Sequence, residues 1–319
     1  MSTQEIRVSV CVVTYNQEQY IAECLDSLVN QQTNFKFEII VGEDCSTDGT
    51  RAIVQKYVEK YPNLIIPLFY EDNIGAIENI KKVYKKTRGK YIAHLDGDDM
   101  ALPNKLQKQF DLLEANPDCT ICAHDVDLID AKSKYINTKY KKIEKKLDRL
   151  SFIKYGISFC HSSKMFVNPL DEYFWDNLLI DKEMIDYEIH LESLRFGKFI
   201  YLNEVLGKYR ILTGISVNGS KISNVLLTAP NRIFNNLLKD CETIKECNII
   251  KKRYAMSLLR LSLQVLILEH DSEKFKKLVY QSVSVKFYSF NQILFLLGTI
   301  KPNFLLKIFK LRQFLQHFE

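Results

Sequence analysis

Tyr91-Ile92-Ala93-His94-Leu95-Asp96-Gly97-Asp98-Asp99 reads as an apolar strand that runs directly into an acidic turn. Strand side chains alternate faces, so the spacing places Asp96 and Asp98 on one side of the ending strand and Asp99 on the other. Three carboxylates in four residues repel one another, and a fold keeps them at the mouth of a sheet when a cation sits between them. Hard oxygen donors suit Mg²⁺ or Mn²⁺, which take one or two carboxylates together with waters and substrate phosphates. The plainer alternative is an acidic turn capping the next helix, and Asp99 in particular fits an N-cap for a helix starting near Pro103.

Outward from this stretch, strands alternate with helices. Residues 8–13, Val-Ser-Val-Cys-Val-Val, form a nearly all-apolar run typical of a strand buried on both faces. A helix pattern follows with Ile21, Leu25 and Leu28. Phe37–Val41 is a second strand, after which Ser46 or Asp48 can cap a helix burying Ile53, Val54, Tyr57 and Val58. Leu64–Phe69 is a third strand, broken by Pro67 and so expected at an edge or bulged. Asn73-Ile74-Gly75 then opens a helix carrying Ile77, Ile80 and Val83-Tyr84. Such alternation means βαβ units and an α/β fold with a mostly parallel sheet, in which ligands bind outside the carboxyl ends of the strands. The polar clusters Thr14–Asn16, Glu43–Ser46, Asn73–Gly75 and Asp96–Asp99 all fall at those ends. Neither glycine-rich phosphate fingerprint occurs, so a nucleotide bound here relies on carboxylates and a metal at its phosphates.

Four ordered segments carry a family resemblance: VCVVTYNQEQYIAECLDSL (10–28), EIIVGEDCSTDGT (38–50), NIGAIENIKKVYKKTRGKYIAHLDGDD (73–99) and LPNKLQKQ (102–109). Together they resemble the N-terminal half of family 2 glycosyltransferases of the GT-A fold, over about residues 7–130 and more weakly to about 216. The resemblance implies a nucleotide-sugar donor lying across the carboxyl edge of the sheet, its diphosphate bound through a divalent metal. Thr14 and Tyr15 then correspond to residues packing on the base and ribose. Asp44 corresponds to the carboxylate that accepts a base N–H, which fits uracil and favours a UDP-sugar. Glu43 stands where the family usually has Asp. Arg88 resembles a basic residue near base or phosphates, Asp96 a contact to ribose or metal-bound water, and Asp98 the metal ligand.

The acceptor half is expected to begin near residue 131. Thr120–Leu128 reads as a strand that places His124 and Asp125 in the core or the acceptor wall, and Cys160–Phe166 resembles the family's acceptor-facing strand, with His161 as its candidate. Asp186, behind Met184-Ile185 and ahead of Ile189 and Leu191, matches the second position of a Glu-Asp pair before an amphipathic helix, Ile185 replacing the Glu. An inverting transfer needs one base for the acceptor proton while the metal stabilises the leaving diphosphate. A carboxylate in a partly apolar site suits that task, whereas a first-turn Asp serving helix N–H groups is the alternative. Tyr209–Ser216 resembles an element closing over the donor phosphates, with Arg210 as the charge-assisted contact.

The 319 residues carry 44 Lys and Arg against 39 Asp and Glu, a net charge of +5. From Leu226 onward there are 15 basic and 7 acidic residues, so the tail holds +8 and the rest −3. We expect a catalytic domain at 1–225, with a donor half at about 7–130 and an acceptor half at 131–225. A basic, amphipathic helical region at 226–319 follows. Its Phe- and Leu-rich stretch at 287–318 is interrupted by Gly298, Lys301 and Pro302, too soon for a membrane span. It can lie in a membrane interface, cap the catalytic domain or form an oligomer contact. The eight scattered cysteines read as reduced thiols, and the start of the chain shows no signal peptide, so a cytoplasmic location at or near the inner face of the membrane is expected. No nucleic-acid reader motif is evident. The expected function is metal-dependent, inverting transfer of a single sugar to a glycan or lipid-linked glycan acceptor in bacterial surface polysaccharide assembly. A degenerate domain serving as a membrane-associated assembly partner, and a nucleotidyltransferase, are the alternatives.

Overall fold

In the computed structural model, β1 (Ile6–Thr14) pairs in parallel with β2 (Lys36–Glu43) on one side and β4 (Tyr91–Asp96) on the other. The structure describes residues 5–139, 143, 145–169, 175–176, 186–211, 217–218, 221–302 and 304–306. The central place of β1 explains its apolar run: Val8, Val10 and Val12 join the main core on one face, while Cys11 is buried on the other. Each such side chain contributes roughly 1.5–3 kcal/mol by leaving water. β3 (Ile65–Phe69) pairs with β2 alone at the sheet edge, where the missing N–H of Pro67 is tolerated. The crossovers are α1 (Ile21–Val29), α2 (Thr50–Lys60) and α3 (Ala76–Lys85). α1 buries Ile21, Cys24, Leu25 and Leu28, one stripe of a 3.6-residue period.

Beyond β4 the strands no longer all run one way. The chain passes through β5 (Met100–Ala101) and α4 (Lys105–Glu114) to β6 (Cys119–Ile129), β7 (Tyr135–Lys139) and α5 (Arg149–Tyr155). β8 (Met165–Val167) runs antiparallel to both β4 and β6, and after α6 (Asp186–Ser193) comes β9 (Lys198–Arg210), parallel to β6. The order is β3-β2-β1-β4-β8-β6-β9-β5, with β7 on β6, giving a nine-stranded mixed α/β sheet of the GT-A kind. The strand expected over 160–166 is divided. A 3₁₀ turn at His161–Ser163, closed by the Ser163 N–H to the Cys160 carbonyl, precedes a three-residue strand.

Packing separates residues 1–152 with 157–213 from residues 153–156 with 214–319. The second unit holds the short hairpin β10 (Val217–Asn218) and β11 (Lys221–Ile222), then α7 (Asn224–Lys239), α8 (Ile244–Leu268), α9 (Ser272–Val285) and α10 (Asn291–Ile300). Ser223, Thr243 and Asp271 cap α7, α8 and α9 by accepting N–H groups of Leu226, Glu246 and Lys274. Leu259, Leu266, Phe275, Val279, Phe295 and Leu305 form a core of their own. Cys241 and Cys247 are joined by a disulfide at the α7–α8 turn, which corrects the expectation of eight reduced thiols; the turn holds their Cα atoms 5.6 Å apart, within bridging distance. The other six cysteines are outside any disulfide among the described residues. Among the described residues no helix is long and apolar enough to cross a membrane. Residues 307–319 of the expected amphipathic tail lie outside the described residues.

Candidate active site

The carboxyl ends of the parallel strands bring the polar clusters together. Thr14 stands opposite Glu43 in the β1–β2 register, and Val13 opposite Asp96 in the β1–β4 register. The Thr14 carbonyl accepts the Asp44 N–H at 3.0 Å, and Tyr15 keeps 40% of its surface open at this edge. Asp44 is buried, its carboxylate accepting the Ile74 and Gly75 N–H groups at 2.8 and 3.0 Å. Gly75, at φ 85°, takes the left-handed turn that aims both donors there. Glu43 is fully buried and bound to Arg51 and to the Ser46 N–H, so it braces the loop between β2 and α2.

At the acidic turn the strand alternation stops. The Asp99 N–H bonds back to the Asp96 carbonyl at 3.0 Å, and this turn brings Asp96 and Asp99 to one hydroxyl instead of opposite faces. Ser162 Oγ lies 3.2 Å from Asp96 Oδ2 and 2.5 Å from Asp99 Oδ2, and accepts the Asp96 N–H at 2.9 Å. A hydroxyl has one proton, so Ser162 Oγ–H donates to one of the two carboxylates at a time. Burial, followed by the Asp96 and Asp98 charges, pushes the Asp99 carboxyl well above the ordinary range. With its other oxygen accepting the Arg210 N–H at 2.8 Å, Asp99 braces the turn against β9, and the helix cap position falls to Asn104. Gly97 allows the turn to close on the first loop, since a Cβ would lie 2.4 Å from Gln17 Oε1 and 2.9 Å from Thr14.

Asp96 stays ionised. Burial works to raise it, but His94, Ser162 and the Lys164 charge outweigh burial and hold it below the usual carboxylate range. His94 lies two residues back on the same strand face; its Nε2–H donates to Asp96 Oδ1 at 3.1 Å, and its Nδ1 accepts the Tyr84 hydroxyl at 3.0 Å. Burial keeps this imidazole neutral by lowering its pKa. The carboxylates of Asp96 and of Asp98, two residues on along the turn, are hard oxygen donors of the kind that suits a divalent cation such as Mg²⁺ or Mn²⁺.

The 3₁₀ turn and α6 supply the rest. Asp186 Oδ2 lies 3.7 Å from His161 Nδ1, which is also 3.0 Å from Lys164 Nζ, and the His161 ring packs on His94 at 3.9 Å. The Asp186 side chain keeps 40% of its surface exposed, yet surrounding protein is dense enough for burial to raise its pKa, against the pull of Lys164 and of the Tyr187 N–H. Lys164 is wholly buried, and desolvation brings it down to about 7. Donor atoms of His94, Asp96 and His161, and likewise of His161, Asp186 and His190, lie within 4.8 Å of one another. Residues 181–185 ahead of Asp186, and 212–216 after β9, lie outside the described residues.

Two expected donor contacts are corrected. Arg88 sits at the amino edge of the sheet, before β4, where it donates to buried Glu38 at 2.9 Å from Nε and 2.5 Å from Nη2. Arg88→Ala is therefore expected to cost about 1–3 kcal/mol in chemical denaturation, by taking both guanidinium donors from Glu38 Oε2 while Oε1 keeps the Ser9 hydroxyl, without disturbing the carboxyl edge. Arg210 is turned inward. Its guanidinium donates to the carbonyls of Asp98 and Asp130, to Ser133 Oγ and to Glu23, so it clamps the acidic turn from beneath. His124 and Asp125 are core residues as expected, Asp125 accepting the Tyr201 hydroxyl. Sequence reasoning missed His94, Ser162, Lys164 and His190. Only His94 had a signal, its two-residue spacing from Asp96.

Comparison with known proteins fits this geometry. Residues 9–174, more than half of the chain, match the model of Glycosyl transferase family 2. An uncharacterized protein of Mycobacterium tuberculosis is 32% identical over 207 residues, 64% of this chain but 58% of its own length. TuaG of Bacillus subtilis, provisionally named a teichuronic acid biosynthesis glycosyltransferase, is 39% identical over 106 residues, 33% of this chain and 41% of its own. Residues 1–349 of S. aureus TarS, solved with UDP-GlcNAc, share the fold at a TM-score of 0.60 and 19% identity, over 88% of this chain and 81% of that one. The chain belongs to glycosyltransferase family 2, on a GT-A fold.

Proposed function

We propose that the protein is an inverting glycosyltransferase that moves a sugar from a UDP-sugar to a hydroxyl of a bacterial glycan or lipid-linked glycan. The observation that carries the reading is the junction at His161, beside which the base candidate Asp186 and the acidic turn of β4 meet. Thr14, Tyr15 and Asp44 line the donor edge, and Asp186 takes the acceptor proton. A divalent cation of the Mg²⁺ or Mn²⁺ class, held by Asp98 and Asp96, would neutralise charge developing on the departing diphosphate. The names of two similar proteins support the substrate class: TuaG is linked to teichuronic acid, and the TarS structure contains UDP-GlcNAc. Exposed Phe290, Leu297 and Ile300 on and beside α10 support contact with a membrane surface that carries the acceptor.

The test is a thermal-shift screen of nucleotide sugars with and without Mn²⁺. UDP-sugar and Mn²⁺ together should stabilise the protein by about 2.7 kcal/mol at a hundredfold excess over Kd, and neither alone should approach that. Asp98→Ala should abolish the joint effect. Equal stabilisation in chelator would overturn the metal-dependent reading.

A further inference from the structure

We propose that His161, His190 and Asp186 form a second cation site, suited to a borderline transition metal of the Zn²⁺ class, and that an ion held there stops transfer by occupying the Asp186 carboxylate. Asp186 and His190 lie four residues apart on α6 and so face the same side, the spacing by which a helix presents two ligands to one ion. His190 is 1% exposed, and among the described residues neither of its ring nitrogens has a hydrogen-bond partner. A buried imidazole with both nitrogens idle is costly, and a bound ion is one of the few things that accounts for it. Phe159 packs on the His190 ring at 4.2 Å and fixes its plane.

The spacing is right for the ion. Tetrahedral coordination at ~2.0–2.1 Å puts donor atoms roughly 3.3–3.5 Å apart. His161 Nδ1 and Asp186 Oδ2 are 3.7 Å apart, and all three residues offer donors within 4.8 Å of one another. Two imidazoles and one carboxylate select Zn²⁺ over Mg²⁺, whereas the Asp96 and Asp98 side chains are both carboxylates and favour the harder ion. The opposing charge is Lys164, whose amine is 3.0 Å from His161 Nδ1 and competes with an incoming ion for the same donors. Removing that amine should strengthen binding, a direction no merely structural role for these histidines would give.

Binding and inhibition are tested separately, because only the inhibition rests on Asp186 as the base. Equilibrium dialysis of the full chain against Zn²⁺, in excess Mg²⁺, should leave one zinc per chain by elemental analysis. His190→Phe should weaken that binding by at least about 100-fold, Lys164→Met should tighten it by about 10-fold, and Asp98→Ala should leave it unchanged. Zinc bound equally by wild type and His190→Phe, or lost with Asp98→Ala, overturns the site. Should His190→Phe fail to fold, Co²⁺ on the wild-type chain decides: intense visible bands of a tetrahedral nitrogen site support it, and a weak octahedral spectrum overturns it. In saturating Mn²⁺, zinc should inhibit wild-type transfer and spare His190→Phe. Zinc that binds as described without inhibiting would leave the site standing and remove Asp186 from the base role.

Discussion

Asp186→Asn is expected to lower the transfer rate by about 10²–10⁴-fold, the usual contribution of a positioned general base, while leaving donor-induced stabilisation intact. The amide has the shape of the carboxylate and can still accept the Tyr187 N–H, which Asp186 Oδ1 accepts at 2.9 Å, so the first turn of α6 keeps its bond. It cannot take up a proton. Burial raises the Asp186 pKa above that of an ordinary aspartate, and the base works only when unprotonated. The kcat/KM profile should therefore fall as pH falls through this raised value, with an acid limb at higher pH than a solvent-exposed Asp would give. The residual activity of Asp186→Asn should lack that limb. Loss of donor stabilisation in the variant would place Asp186 on the donor and not the acceptor.

The fold was legible because its information is local. Apolar runs of strand length, helical stripes between them and a proline in one strand are enough to write βαβ units with β3 at an edge or bulged, and the sheet puts it at the edge. The site was legible wherever it depends on strand ends, since a parallel sheet gathers Thr14, Asp44 and Asp96 whatever their separation in sequence. It was not legible where a charge finds its partner through tertiary packing. Arg88 and Arg210 are both polar residues beside conspicuous motifs, yet one is claimed by Glu38, 50 residues away, and the other by carbonyls as far as 112 residues away. The same holds for Asp99. Period-two reasoning assigns it a face, but the turn closes at Asp96, and the hydroxyl it meets is that of Ser162, 63 residues on. The 3₁₀ turn that presents Ser162, His161 and Lys164 has no periodic signature at all.

Arg210→Met is expected to destabilise the protein by about 3–5 kcal/mol in urea unfolding, and Arg210→Lys to recover little of that. The Arg210 side chain is completely buried, with Nε 2.9 Å from the Asp98 carbonyl, Nη1 2.8 Å from the Asp130 carbonyl and Nη2 2.9 Å from Glu23 Oε2. The Tyr20 ring packs over the guanidinium at 4.3 Å. Glu23 is 45% exposed and can be solvated after the change, and the Asp130 carbonyl keeps the Ser133 N–H at 3.0 Å, so most of the cost comes from the guanidinium bonds lost at Asp98 and Asp130 and from lost packing. A lysine ammonium of similar reach cannot fork toward both carbonyls at once. The backbone bond from residue 210 to Asp99 survives either substitution, so the acidic turn should loosen at Asp98 and hold at Asp99. A higher Mn²⁺ concentration for half-maximal activity should then accompany the loss of stability. A direct phosphate contact predicts the reverse pattern, a raised donor KM at unchanged unfolding free energy, and that result would return Arg210 to the donor side.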